Sequence, residues 1–391
     1  MKGILVYVLF FLPLIACNPS TGSINLEGFK LIDNYEINLD RYTSPVEEFF
    51  QYVPSWKGKE MIAFHVRKAN AIKLYDLFSG ELVEELVYSE NGPNALPNIY
   101  DFHIHDQDHI FLNRRYHYKL LIVDADLNIK NEFYFLKNNE KIDPNSGIPL
   151  SGDSFLLVFN EKELFRKIGS HIFVNGVPDK NADYSSSYEV NCLLVSLDLE
   201  TKDIKRLLGY PKTIKGNAWG VFHANLYSDF IESTQKFILG YAADESLYFS
   251  DNKGEFLENI PAYPKNFKKI EPLPGYARNN DKAYLAHYNE QFVFGSVLYD
   301  EYRDLIYRIA LEPNPDYGDV FIKDPLFKPR NMIVMAFDPK RDYQKVGEMR
   351  LEQTEKGVYL DRCFVNEKGL NITYVDLENE DKLYFKTFVV E

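Results

Sequence analysis

The sequence predicts an all-β chain, a six-bladed β-propeller preceded by a lipoprotein signal peptide and a short tether. Three observations carry that reading. Apolar stretches of roughly four to eight residues, rich in Ile, Val, Tyr and Phe, recur between Asp, Asn and Gly turns, and no long segment has helical periodicity. These stretches group into units of about 40–50 residues, the period of propeller blades. The chain also opens with a short apolar run that ends at a cysteine, the pattern of an exported and acylated protein.

The first element is the opening segment. Met1-Lys2-Gly3 supplies one positive charge, and Ile4 to Ala16 is an unbroken neutral, mostly apolar run. Thirteen residues at about 1.5 Å rise reach roughly 20 Å, short of the ~30 Å hydrocarbon core of a bilayer. Residues 1–16 therefore read as a cleaved signal rather than a membrane span. Leu14-Ile15-Ala16-Cys17 resembles the lipobox of bacterial lipoproteins. That resemblance implies diacylglyceryl attachment to Cys17 and cleavage before it. Residues 17–29 then form the tether, starting with the small, uncharged run Asn18-Pro19-Ser20-Thr21-Gly22-Ser23. A second acyl chain would make the anchor stable, since one alone holds only marginally.

Residues 30–391 contain no linker and are expected to form one domain. Its repeats read as residues 59–88, 99–135, 148–211, 227–260, 284–349 and 357–391, six blades in all. Five apolar runs end in Asp, at Asp76, Asp124, Asp198, Asp338 and Asp376, where a carboxylate can accept backbone N–H groups of a following turn. The strand-like residues 35–40 are expected to pair with the last blade and close the ring, which removes open sheet edges. A pair of β-sandwiches is the competing arrangement. Composition agrees with a folded β domain. Hydrophobic residues are 45% and charged residues 26%, which excludes disorder, and 28 Tyr with 29 Phe suit strands. The net charge of −14 excludes a general nucleic-acid binder, because an acidic surface repels phosphates. A monomer is expected.

Several stretches resemble a family of six-bladed propeller lipoproteins of unknown function found chiefly in Bacteroidota. Ser55-Trp56-Lys57-Gly58-Lys59-Glu60, Tyr75-Asp76 and Ser79-Gly80 are similar to its first blade, and Glu90-Asn91-Gly92-Pro93-Asn94 to the turn leading into its second. Ile99, Phe102, Ile104 and Ile110-Phe111 match apolar positions of that second blade. Tyr299-Asp300, Tyr302-Arg303, Tyr307-Arg308, Pro329-Arg330 and Val346-Gly347-Glu348 resemble a late blade. Asn94-Ala95-Leu96-Pro97 departs from the glycine-containing continuation of the family turn. The resemblance implies a fold and an envelope location but no reaction. Surface-exposed lipoproteins of these bacteria carry acidic residues just after the acylated cysteine, whereas the first acid here is Glu27. The expectation is an anchor in the outer membrane facing the periplasm.

Candidate chemistry is sparse. Asp101, His103 and His105 alternate on one strand face, and an H-x-H pair with a carboxylate can hold a divalent transition metal; the alternative is a polar strand face running into a turn. No other cofactor is expected. Asp124-Ala125-Asp126-Leu127-Asn128 starts like a calcium loop, but Ile129 and Phe135 occupy the positions that need Gly and Glu, so it reads as a turn. Arg114, Arg115 and Tyr116, with Tyr302, Arg303, Tyr307 and Arg308, mix arginine and tyrosine, which together can grip a carboxylate or sugar acid; ion pairing between blades is the alternative. Trp219 and His223 lie in a Gly-flanked loop, as a sugar-stacking platform or as packing. Cys192 and Cys363 fall in different blades and are expected to stay unbridged.

These features favour a membrane-anchored lipoprotein whose propeller binds an envelope protein or a small or glycan ligand without catalysis. The alternative is a metal-assisted lactonase or glycan-processing hydrolase working at the central channel, and a third reading is a structural envelope protein. Converging carboxylates, or His with Asp, at the channel mouth would favour the enzyme; a lining of unlike residues would favour binding.

Overall fold

A computed structural model describes residues 24–391 apart from residues 48, 93–94, 115–117, 136–154, 159–163 and 315–329. Six antiparallel sheets follow one another around a ring. Lettering the strands A to D from the axis outwards, the first blade is Phe50–Trp56, Lys59–Val66, Ala71–Asp76 and Leu82–Val87. The second is Asp101–Ile104, Ile110–Arg114, Lys119–Val123 and Ile129–Tyr134. In the third, strand A comes in two pieces, Phe155–Val158 and Phe165–Ile168, both paired to His171–Pro178, with Leu194–Asp198 and Ile204–Leu208 outside. The fourth is Leu226–Ile231, Lys236–Tyr241, Ser246–Ser250 and Phe256–Pro261. The fifth is Val293–Asp300, Leu305–Leu311, Met332–Asp338 and Gln344–Leu351.

The sixth blade closes the circle. Gly357–Asn366, Gly369–Asp376 and Lys382–Val390 are its A, B and C strands, and its D strand is the N-terminal Phe29–Asn38. Tyr35 lies opposite Phe385 and Ile37 opposite Leu383, so the expected closure is present. The fold takes up the chain earlier than a tether over residues 17–29 allows. Ile24–Glu27 already pairs with Gln344–Leu351 as a fifth strand of the fifth blade, Ile24 opposite Leu351 and Glu27 opposite Glu348. Each of the first five blades turns from strand C to D around an aspartate. Asp76 accepts Ser79 N (2.9 Å), Asp124 accepts Asn128 N (2.8 Å), and Asp198 accepts Glu200 N (2.9 Å). Asp251 accepts Lys253 N (2.9 Å), and Asp338 accepts Lys340 N (2.8 Å). Asp251 escaped the sequence reading. Asp376, read as equivalent, sits instead in the B-to-C turn of the sixth blade, which has no C-to-D hairpin because its D strand arrives from the other end of the chain.

Residues 284–289, assigned to a blade repeat by the sequence, belong to an α-helix, Asp281–Asn289. Asn280 caps it by accepting Ala283 N at 3.1 Å, and Asp281 lies in its first turn. Neighbouring blades are stitched near the axis by side chains that reach backbone groups of the next blade. Gln51 both donates to Ile104 O (2.8 Å) and accepts Ile104 N (2.7 Å). Asn113 donates to Leu157 O and Asn175 to Leu226 O, each at 3.0 Å, and Asp229 accepts Tyr299 N at 2.7 Å. Such bonds satisfy buried polar groups and fix the rotation between blades.

Candidate functional site

The six A strands run the same way along the axis, so every A-to-B hairpin emerges on one face of the ring and the B-to-C turns on the other. At the A–B end of the channel lies a cavity of about 240 Å³ to which all six blades contribute. Its polar lining is Gln51, Tyr52, His103, Arg166, Ser228, Asp229 and Tyr299, and Phe165 and Phe364 supply aromatic surface. Two stacked pairs flank it. Tyr52 lies on Phe364 with ring centroids 4.3 Å apart, and His103 lies on Phe165 at 4.0 Å.

The electrostatics of the cavity follow from burial. Desolvation holds the His103 imidazole down at about 3, so it is neutral and able to donate or accept one hydrogen bond. Burial pushes the Asp229 carboxyl up, against the two backbone N–H groups it accepts, from Phe230 and Tyr299, both at 2.7 Å. Arg166 reaches Glu232 in the A–B turn of the fourth blade at 2.8 Å. Tyr299 donates from its hydroxyl to Asp304 in the A–B turn of the fifth (3.0 Å), and Tyr52 donates to Glu60 (2.7 Å). The mouth is thus an amphipathic ring carrying one cation, one neutral imidazole and one buried carboxylate. Such a surface can orient a small polar molecule against aromatic walls.

The residues singled out from sequence distribute differently. Of the metal candidates, only His103 lines the cavity. The strand ends at Ile104, so His105 leaves the face and lies beside Asp106, 4.0 Å away in the hairpin, while Asp101 is buried at the start of the strand. Among the described residues no group of three or more His, Cys, Asp or Glu is placed to hold a metal ion. Among the described residues the two Arg/Tyr clusters do not meet. Arg114 ends a B strand and belongs to the B–C face, whereas Tyr302 and Arg303 sit in an A–B hairpin on the opposite face. Arg115 and Tyr116, like Cys17 and Pro93-Asn94, lie outside the described residues.

Arg303 pairs with Asp300 (3.2 Å) and donates to Glu367 O (2.6 Å); Tyr307, fully buried, donates to the same Asp300 (3.1 Å). Arg308 is also fully buried and spans the fourth and fifth blades, donating to the carbonyls of Ala262 (2.9 Å), Tyr241 (3.3 Å) and Asp244 (2.6 Å) over the Phe294 ring. Burial lowers its guanidinium to about 9. Trp219 and His223 are packing residues. The indole donates to Ile214 O (2.8 Å) and the imidazole contacts Phe292 O (3.1 Å). Cys192 and Cys363 are buried in the third and sixth blades and form no disulfide with each other, and Cys363 borders the cavity. The sequence reading passed over Gln51, Tyr52, Phe165, Arg166, Asp229 and Phe364, whereas Tyr299 opens the arginine–tyrosine stretch Tyr299–Arg308 that it singled out and is the member of that stretch lining the cavity. The available signal was positional: each lies on an A strand, next to the axis.

Comparison with solved structures gives a member of the DUF4221 family from Bacteroides vulgatus, 19% identical, with a TM-score of 0.75 over 94% of this chain and 98% of that one. An exported protein from Bacteroides fragilis is 10% identical, with a TM-score of 0.53 over 93% and 96% of the two chains. At such identities the likeness establishes the fold. No curated protein matches the sequence. A family model described as a domain of unknown function matches residues 23–350, most of the propeller, and the chain therefore belongs to the DUF4221 family.

Proposed function

We propose that this protein is a lipid-anchored, extracytoplasmic binding propeller that takes a small polar ligand, or a loop of an envelope partner, into the A–B mouth of its central channel without catalysis. The observation that carries the reading is the lining of the cavity, in which each blade contributes a different residue. The lining includes one carboxylate, Asp229, whose oxygens already accept two backbone amides. General acid–base hydrolysis of a glycosidic bond calls for two carboxyl groups facing each other across the substrate. The lipobox-like Leu14-Ile15-Ala16-Cys17 supports the anchor, and a structural neighbour named as exported supports the compartment.

Two measurements test this. Labelled palmitate should enter the wild-type chain and not Cys17→Ser, and equal labelling of both would remove the anchor. A thermal-shift screen of the mature chain with neutral sugars, sugar acids and aromatic carboxylates should give stabilisation that Arg166→Gln abolishes. Loss of the screened compound to a product would make the protein an enzyme instead.

A further inference from the structure

The anchor, if attached at Cys17, constrains which part of the propeller meets the membrane. Six residues separate Cys17 from Ile24, the first described residue. Seven Cα steps of at most about 3.5 Å put Ile24 within roughly 25 Å of the acylated cysteine. Ile24 lies opposite Leu351, the end of the D strand in the fifth blade, so the chain enters at the outer rim on the face away from the A–B hairpins.

The surface beside that entry point carries a run of lysines. Residues 263–269 read Tyr-Pro-Lys-Asn-Phe-Lys-Lys and pack against the fifth blade from its D strand, which Tyr263 and Lys265 touch, to the start of its A strand, where Phe267 meets Phe292 and Phe294. Tyr263 O accepts from Lys345 (3.1 Å), and Lys265 donates from its backbone to Glu348 and from its ammonium to Glu27 of the entering strand. Asn266 donates to Glu312 (3.0 Å), which Arg350 holds opposite Asn25. Tyr263 is 44% exposed, and its ring packs on Phe267 at 5.4 Å. Lys268 and Lys269 are exposed. An exposed tyrosine flanked by lysines suits the headgroup layer of a bilayer, where the ring sits at the interface and the ammonium groups meet lipid phosphates.

We propose that residues 263–269 are the surface this protein turns towards its own membrane, docking on anionic lipid headgroups and holding the A–B mouth of the channel away from the bilayer. This rests on the anchored reading above. The lysine segment acts as an orienting contact and the acyl chains supply the hold.

The test supplies the anchor chemically, so it does not depend on acylation in the cell. The mature chain, residues 17–391, is coupled through Cys17 to a maleimide-headgroup lipid; Cys192 and Cys363 are buried and do not compete. Amine-reactive footprinting then compares the coupled protein on equimolar phosphatidylglycerol/phosphatidylcholine vesicles with the protein in solution. Labelling of Lys268 and Lys269 should fall by about fivefold or more, as expected for lysines held at an anionic surface, and recover in high salt. Lys130 and Lys205, on the outer strands of the second and third blades, should be unchanged. Equal labelling of Lys268 and Lys269 in both states, or a uniform fall at all four lysines, would overturn the proposal. Failure of palmitate to enter Cys17 in cells would instead count against the anchor and leave this footprint to stand or fall by itself.

Discussion

Acid should destabilise this propeller well above the range in which its carboxylates titrate, because its two most deeply buried histidines, His65 and His223, are folded into it neutral. His65, 1% exposed, contacts the Tyr88 hydroxyl with Nε2 (2.7 Å) and Tyr100 O with Nδ1 (3.2 Å). Those partners assign the proton to Nδ1, which donates to the carbonyl, while Nε2 accepts from the tyrosine. Burial, reinforced by the Arg67 charge, lowers its titration from 6.5 to about 4. His223, 2% exposed, is lowered to about 4, again chiefly by burial. A depressed folded value means that the unfolded chain binds more protons, so the stability is present above about pH 6.5 and is lost as the pH falls towards 4. Between pH 7 and pH 5 each histidine should remove about 2 kcal/mol. Urea unfolding of the wild type and of His65→Gln/His223→Gln at both pH values reads this directly. The wild type should lose about 4 kcal/mol more than the variant over that interval. Equal losses in the two proteins would refute the assignment of buried neutral imidazoles.

Three further outcomes follow from the packing. Gly80 has φ +73° and an added Cβ would lie 2.1 Å from Glu36 O on the closing strand, so Gly80→Ala should cost roughly 2 kcal/mol or more in urea unfolding; a neutral result would mean the contact is not made. Arg308→Leu removes the donor from three buried carbonyls and should cost about 3–5 kcal/mol while leaving ligand affinity of the folded protein unchanged, and a selective loss of binding would return Arg308 to the site. Cys192 and Cys363 should be silent to thiol reagents in the native protein and both react after denaturation without reductant; if they stay silent after denaturation, the thiols are bridged and the blade assignment is wrong.

The blades were legible because their outer three strands carry local signals. Runs such as Ile72 to Asp76 and Met332 to Asp338 join β-branched residues to an aspartate turn, and both features act within a few residues of chain. The A strands were harder to read. Phe50–Trp56 holds Gln51, Pro54 and Ser55 among its apolar residues, and strand A of the third blade is split in two. Their polar residues answer to other blades, as Gln51 does to Ile104, and a contact across 53 positions leaves no mark in local periodicity. The channel mouth is made of these strands, so the site was hidden for the same reason. Arginine–tyrosine clusters caught attention instead, and in Arg308 and Tyr307 that chemistry is spent on holding the fourth and fifth blades together and on fastening the Asp300 turn.

The most direct test of ligand binding at the A–B mouth is calorimetric titration of the strongest compound from the thermal-shift screen into the mature chain and two single variants. Arg166 lines the cavity, and Arg114 ends its strand on the opposite face. Arg166→Gln should weaken binding at least about tenfold, the loss of one charge-assisted hydrogen bond, while Arg114→Gln binds as the wild type does and the compound is recovered intact. Equal affinity in the wild type and Arg166→Gln, or a loss confined to Arg114→Gln, would contradict the assignment of the channel mouth as the binding site.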